Sequence, residues 1–146
     1  MVESQTLQLA QNTSQLNDVI VKYLSNRLAD KGYKSVTPSL LSFLSILECG
    51  VNYGSEIARN LGVSRQMVAK TVKELCRLGY LKQVDGPGKQ KQILFTESGE
   101  QLISDARQLL FEVDDILFKH LSDKNISSLI EQLNNITHFI EEVLDR

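Results

Sequence analysis

The phase of the apolar residues between Ser55 and Phe95 constrains this chain more than any other feature. Ile57, Ala58 and Leu61 give a first short helix an apolar face, and Val68, Val72 and Leu75 recur at i, i+4 and i+7 in a second. Between them Gly62 tolerates positive φ, and the Ser64 hydroxyl can accept a backbone hydrogen bond that opens the second helix. At roughly 100° per residue, Gln66, Lys70, Lys73 and Arg77 fall within an arc of about 60° opposite the apolar stripe. Gly79 ends that helix; Tyr80 to Val84, the turn Asp85-Gly86-Pro87-Gly88, and Gln90 to Phe95 then read as a β-hairpin. The whole predicts a winged helix-turn-helix.

A cationic helix face behind an apolar stripe suits a DNA major groove. Arg65 lies off the arc but in the first turn, where such helices point at base edges. Lys89 and Lys91, near the hairpin tip, either reach a phosphate or the minor groove or keep an exposed edge soluble. The net charge of −2 opposes DNA binding until it is divided. Residues 54–95 hold eight Lys/Arg against three Asp/Glu, or +5, and the remainder holds eight against fifteen, or −7. That asymmetry is the pattern of a localised electrostatic footprint.

Amphipathic helices flank this module. One runs from Leu7 to about Lys31, with Leu16, Val19, Ile20, Tyr23, Leu24 and Leu28 in phase. Thr37-Pro38 opens the next, Pro38 to Glu48, with a capping hydroxyl and a proline at the first position. Val51 to Tyr53 is a short link able to pair with the hairpin as a minor third strand. Thr96 caps a helix of about 25 residues striped by Leu102, Ala106, Leu109, Leu110, Val113, Ile116 and Leu117, and a last helix spans Lys124 to Leu144. The expected fold is mainly α with a small β-ribbon. Residues 1–36 and 97–146 form a helical dimerisation region, and residues 37–96 form the DNA-binding winged helix. A fully buried Leu or Ile contributes about 1.5–3 kcal/mol, so terminal helices of this kind call for a second copy. A dimer would also set two recognition helices about one DNA turn apart.

In their order and spacing these segments resemble the MarR family of winged-helix transcription regulators. The resemblance runs over nearly the whole chain: Thr37-Pro38, SEIARNLGVSRQMVAKTVKEL, the GYL strand entry, FTESG after the hairpin and LSDKNISSLIEQL near the end. It implies a homodimer on palindromic double-stranded DNA, commonly a repressor. By position, Ser64, Arg65, Gln66, Ala69, Lys70 and Lys73 would face DNA, with Lys89 or Lys91 at the wing. One departure is visible. The family wing commonly carries an Asp-Arg pair where this chain has Asp85-Gly86-Pro87-Gly88-Lys89, and lysine is a point charge without arginine's fork. Family members often sense small aromatic anions in a cleft between the dimerisation helices and the winged helix. Tyr23, Arg27, Ser42 and Phe43 are the candidates for lining such an effector pocket. The plainer reading makes Tyr23 and Phe43 core and Arg27 a solvated charge.

Other chemistry finds little support in the residues. Cys49 and Cys76 have no metal-like or redox-like spacing. Cys49 reads as a small buried hydrophobe, and Cys76 either as packing or as a thiol whose pKa Lys73 and Arg77 lower. His120 and His138 stand on separate helices, so no metal site is expected, and no nucleophile with an oriented base suggests an enzyme or a cofactor. No apolar run reaches the roughly 18 residues of a membrane span, and a cytoplasmic protein is expected. A rival reading is a winged-helix protein-interaction module that does not read DNA. The cationic arc argues against it.

Overall fold

A computed structural model describes residues 4–144. Six α-helices and one two-stranded antiparallel sheet follow the order α1 (Gln5–Asp30), α2 (Pro38–Ser45), α3 (Gly54–Leu61), α4 (Arg65–Arg77), β1 (Leu81–Asp85), β2 (Lys91–Phe95), α5 (Glu97–His120) and α6 (Asp123–Phe139). A π-helical turn, Ile140–Leu144, continues α6. The chain divides into two compact units, one up to Leu109 and the other from Leu110 onward.

In the first unit each helix starts and stops where a local hydrogen bond makes it. Thr37 Oγ1 accepts from the Leu40 N–H at 3.2 Å with Pro38 at the first helical position, and Ser64 Oγ accepts from the Met67 N–H at 3.0 Å. Gly62, at φ 67°, ends α3: its own N–H donates to the Arg59 carbonyl and the Val63 N–H to the Ala58 carbonyl. Gly79, at φ 89°, ends α4 in the same way, through Cys76 and Leu75. Both are Schellman ends, in which glycine takes the left-handed conformation at no Cβ cost.

Three expectations shift. The second helix was expected to reach Glu48 and instead ends at Ser45. The carboxamide of buried Asn52 captures the next segment: Oδ1 accepts from the Glu48 N–H at 2.9 Å and Nδ2 donates to the Glu48 carbonyl at 3.0 Å. Asn52 also forms a single antiparallel bridge with Ile93, so the short link joins the hairpin by one residue pair rather than as a full strand. The first hairpin strand lies one residue later than the sequence suggests and the second starts one residue later but ends at Phe95 as expected, Leu81 facing Phe95 and Asp85 facing Lys91.

The core of this unit contains Leu24 and Leu28 of α1, Leu41 and Leu44 of α2, Ile57 and Ala58 of α3, and Val68, Val72 and Leu75 of α4. Leu81, Ile93 and Phe95 of the hairpin, Leu102, Ala106 and Leu109 of α5, and Val36 and Tyr80 from the connecting segments complete it. Leu61, expected on the apolar face of its helix, is instead exposed at the turn. Cys49, expected to be buried, is exposed as well, because α2 has ended before it. Each Val or Leu placed fully inside contributes about 1.5–3 kcal/mol, so α4 is anchored chiefly by its stripe of Val68, Val72 and Leu75.

Pieces distant in sequence are joined by specific contacts. The Tyr33 hydroxyl donates to the Asp105 carboxylate, and the Tyr80 hydroxyl donates to the Lys34 carbonyl at 2.9 Å. Thr96 hydrogen-bonds the Gly79 carbonyl through its hydroxyl and the Tyr80 carbonyl through its N–H, and its Oγ1 accepts from the Gly99 N–H. These bonds seat α5 against the strand entry.

In the second unit Phe111, Ile116, Phe118, Leu121, Leu129, Ile130 and Phe139 are exposed. No helix among the described residues is long and apolar enough to cross a membrane.

Candidate nucleic-acid interface

Because Val68, Val72 and Leu75 hold one side of α4 in the core, the opposite side with Gln66, Lys70 and Lys73 is fixed in solvent, and Arg65 and Ala69 on the flank toward the hairpin are exposed as well. Ser64, exposed at the N-cap, spends its hydroxyl on the Met67 N–H. Among the described residues no ion pair or side-chain hydrogen bond holds Arg65, Lys70 or Lys73. Their charges are available to an outside anion.

Arg77 differs from the other cations of the arc. Its guanidinium binds Glu74 through two bonds, Nε to Oε2 at 3.0 Å and Nη2 to Oε1 at 2.5 Å. The donated hydrogen bonds hold the Glu74 carboxyl below its usual range and raise the Arg77 guanidinium. The free cationic arc is therefore shorter than the sequence suggests, ending at Lys73.

The hairpin meets α4 across a hollow of about 250 Å³. Arg65 and Ala69 line it from the helix, Gln83, Gln90 and Lys91 from the hairpin, and Ser55 from the start of α3. Ser55 and Gln90 are themselves joined, Oγ to Oε1 at 3.3 Å. Residues 26 positions apart in sequence, Arg65 and Lys91, thus share one concavity, floored in part by Val68 and Ile93. Lys89 lies exposed in the loop between the strands. The sequence reading missed Gln83, Gln90 and Ser55. The signal was in the pairing: Leu81, Gln83, Ile93 and Lys91 share one face of an antiparallel ladder, and Gln83 is a polar residue on the face that carries the apolar anchors.

Of the effector candidates, Tyr23 and Arg27 are exposed, while Ser42 and Phe43 are half-buried and Phe43 packs on the core. Ser42 opens onto a hollow of about 320 Å³ formed with Asn17, Asp18, Val21, Lys22, Pro38 and Ser39. Cys76 is half-buried, and burial pushes its thiol up rather than down, which corrects the idea that Lys73 and Arg77 activate it. Among the described residues no group of three His, Cys, Asp or Glu is placed to hold a metal ion.

No protein-family model matches the sequence, and no curated protein is significantly similar to it. The solved structures give a different result. The chain is similar to a MarR-family transcriptional regulator from Rhodococcus sp. RHA1, with 18% identity, a TM-score of 0.68, and 92% of this chain covering 96% of that one. It is similar to Streptococcus pneumoniae FabT in complex with DNA, with 17% identity, a TM-score of 0.76, and 96% of this chain covering 99% of that one. A mutant Escherichia coli MarR complexed with operator DNA matches at 16% identity and a TM-score of 0.68, over 88% of this chain and 91% of its own. With side-chain identity this low and coverage this complete, what is shared is the path of the backbone: this chain has the winged-helix fold of the MarR-family transcriptional regulators.

Proposed function

We propose that this protein is a homodimeric, sequence-specific regulator of transcription that binds palindromic double-stranded DNA and represses nearby genes. The observation that carries the reading is the concavity between α4 and the hairpin. It brings Arg65, Ala69 and Lys91 together beside the unpaired Lys70 and Lys73. An α-helix presenting free cations beside a cationic hairpin matches a duplex, with the helix in the major groove and the hairpin near the adjacent phosphates or minor groove. Two of the similar structures are themselves described as DNA complexes. The dimer is supported by the exposed apolar side chains of α1 (Leu7, Leu16, Val19) and of the second unit, whose burial would contribute about 1.5–3 kcal/mol each. Release by a small aromatic or anionic effector, with Tyr23, Arg27, Ser42 and Phe43 as its contacts, is part of the same proposal.

The test is retention of sheared genomic DNA by the purified protein at two salt concentrations, followed by sequencing. An inverted repeat with half-sites about 10 bp apart, held less tightly at the higher salt, is the expected result. No enrichment at either salt, with or without added aromatic acids, would refute the reading in favour of a protein-interaction module.

A further inference from the structure

We infer that Gln66 and Met67 read A·T pairs in each half-site, Gln66 through paired hydrogen bonds to adenine and Met67 through apolar contact with a thymine methyl group. This rests on the DNA-binding reading above and specifies the sequence chemistry of the same interface. Arg65 and Ala69 line the hollow beside the hairpin, which fixes the direction in which that flank of α4 faces. Gln66 lies about 60° further round the helix, on the outward side, and Met67 about 100° beyond it, on the flank away from the hairpin. Among the described residues Gln66 makes no side-chain hydrogen bond, so both its donors and its acceptor are available. Met67 is 58% exposed, an apolar side chain left in solvent on the first turn and a half of the helix.

The flank that follows Met67 carries Thr71 and Glu74 rather than cations, so it does not suit a phosphate wall. A helix with its side chains is about 10–12 Å across and the major groove about 12 Å wide, so the groove admits the helix and its N-terminal turn, which carries Gln66 and Met67, reaches base edges. The groups offered there are one neutral carboxamide with an apolar side chain to either side, Met67 and Ala69. A Gln carboxamide pairs with adenine N6 and N7, and apolar side chains meet the thymine methyl. Gln66 and Met67 are thus matched to A·T pairs, while Arg65 of the same turn lies on the flank toward the hairpin.

The test uses the full-length protein and the duplex it selects from a randomised pool. Each thymine in one half-site is replaced in turn by deoxyuridine, which deletes one methyl group, and each adenine by 7-deazaadenine, which deletes N7. Wild-type protein is expected to lose about fourfold in affinity at one thymine, the worth of one buried methyl. Met67→Ala should bind the unmodified duplex more weakly and show no further loss with deoxyuridine at that position. Gln66→Ala should lose selection for adenine at a neighbouring pair and become insensitive to 7-deazaadenine there. A scan with no sensitive thymine, or one in which Met67→Ala is as sensitive as wild type, would overturn the inference while leaving DNA binding intact. If wild type selects no duplex even at low salt, the DNA-binding reading fails and this inference fails with it. Both side chains are exposed, so unchanged thermal melting of the variants is expected and separates readout from folding.

Discussion

The carbonyl oxygen of Tyr80 stands so close to Gly99 that a β-carbon at residue 99 would meet it at 2.0 Å, with the Phe95 ring 3.0 Å away on another side. Gly99 lies in the first turn of α5, where alanine would ordinarily favour the helix by up to about 1 kcal/mol. Here contact decides the sign. The obstacle is backbone already engaged by the Thr96 N–H, so it cannot step aside as a side-chain tip would.

Gly99→Ala is therefore expected to destabilise the fold by about 2–3 kcal/mol, the upper part of the range for overpacking. Urea unfolding at neutral pH measures it. A variant as stable as wild type would show that α5 is not seated on the strand entry in this way.

Tyr33 and Asp105 give a pH window. Burial, reinforced by the Asp105 carboxylate, pushes the Tyr33 hydroxyl up to about 12, and the hydrogen bond that Tyr33 donates holds the Asp105 carboxyl below its usual range. For Asp105 the stabilisation is present above the unfolded carboxylate pKa and is lost as pH falls through the folded value. For Tyr33 it is present below the unfolded pKa of 10.0 and is lost as pH rises through about 12. Tyr33→Phe is expected to cost about 1 kcal/mol at pH 7, a modest value because both groups are only partly buried. It should also flatten this pair's part of the fall in stability at both ends of the pH range. Denaturant midpoints across that range check it, and an unchanged pH profile in the variant would disprove the coupling.

The free and the paired cations of α4 should behave differently on DNA. Lys70→Ala and Lys73→Ala are each expected to weaken binding to all sequences and to reduce the salt slope by about one unit if each meets a phosphate. Arg65→Ala should relax discrimination by about 1–3 kcal/mol at a guanine it contacts. Glu74→Gln, by freeing Arg77, should strengthen non-specific binding and steepen the salt slope. Salt-dependent anisotropy titrations on specific and scrambled duplexes distinguish these, and equal loss on every sequence for Arg65→Ala would refute its assigned role.

The two thiols should separate cleanly. Cys49 is exposed, whereas Cys76 is half-buried with its thiol pushed up by desolvation. A disulfide reagent is expected to modify Cys49 quickly and Cys76 slowly, so Cys49→Ser leaves a single slow phase. A fast phase surviving in that variant would reinstate Cys76 as a reactive group.

The sequence alone determined the parts of this protein that short-range physics controls. The period of Val68, Val72 and Leu75 set which side of α4 is buried and hence which side carries Gln66, Lys70 and Lys73. Thr37 and Ser64 set helix starts through hydrogen bonds three residues long, and Gly62 set the turn through a φ that needs no distant partner. Tertiary structure decided whatever depends on a neighbour far along the chain. Asn52 ends α2 early by capturing Glu48 while bridging to Ile93, and that early end leaves Cys49 exposed. Glu74 takes Arg77 out of the cationic arc through a rotamer choice that helical phase does not specify. Arg65 shares a hollow with Lys91 only because the hairpin folds back beside α4, and Tyr33 meets Asp105 across 72 residues. Periodicity reports which face of an element is buried. Which residues of other elements come to meet that face is fixed only when the chain is packed.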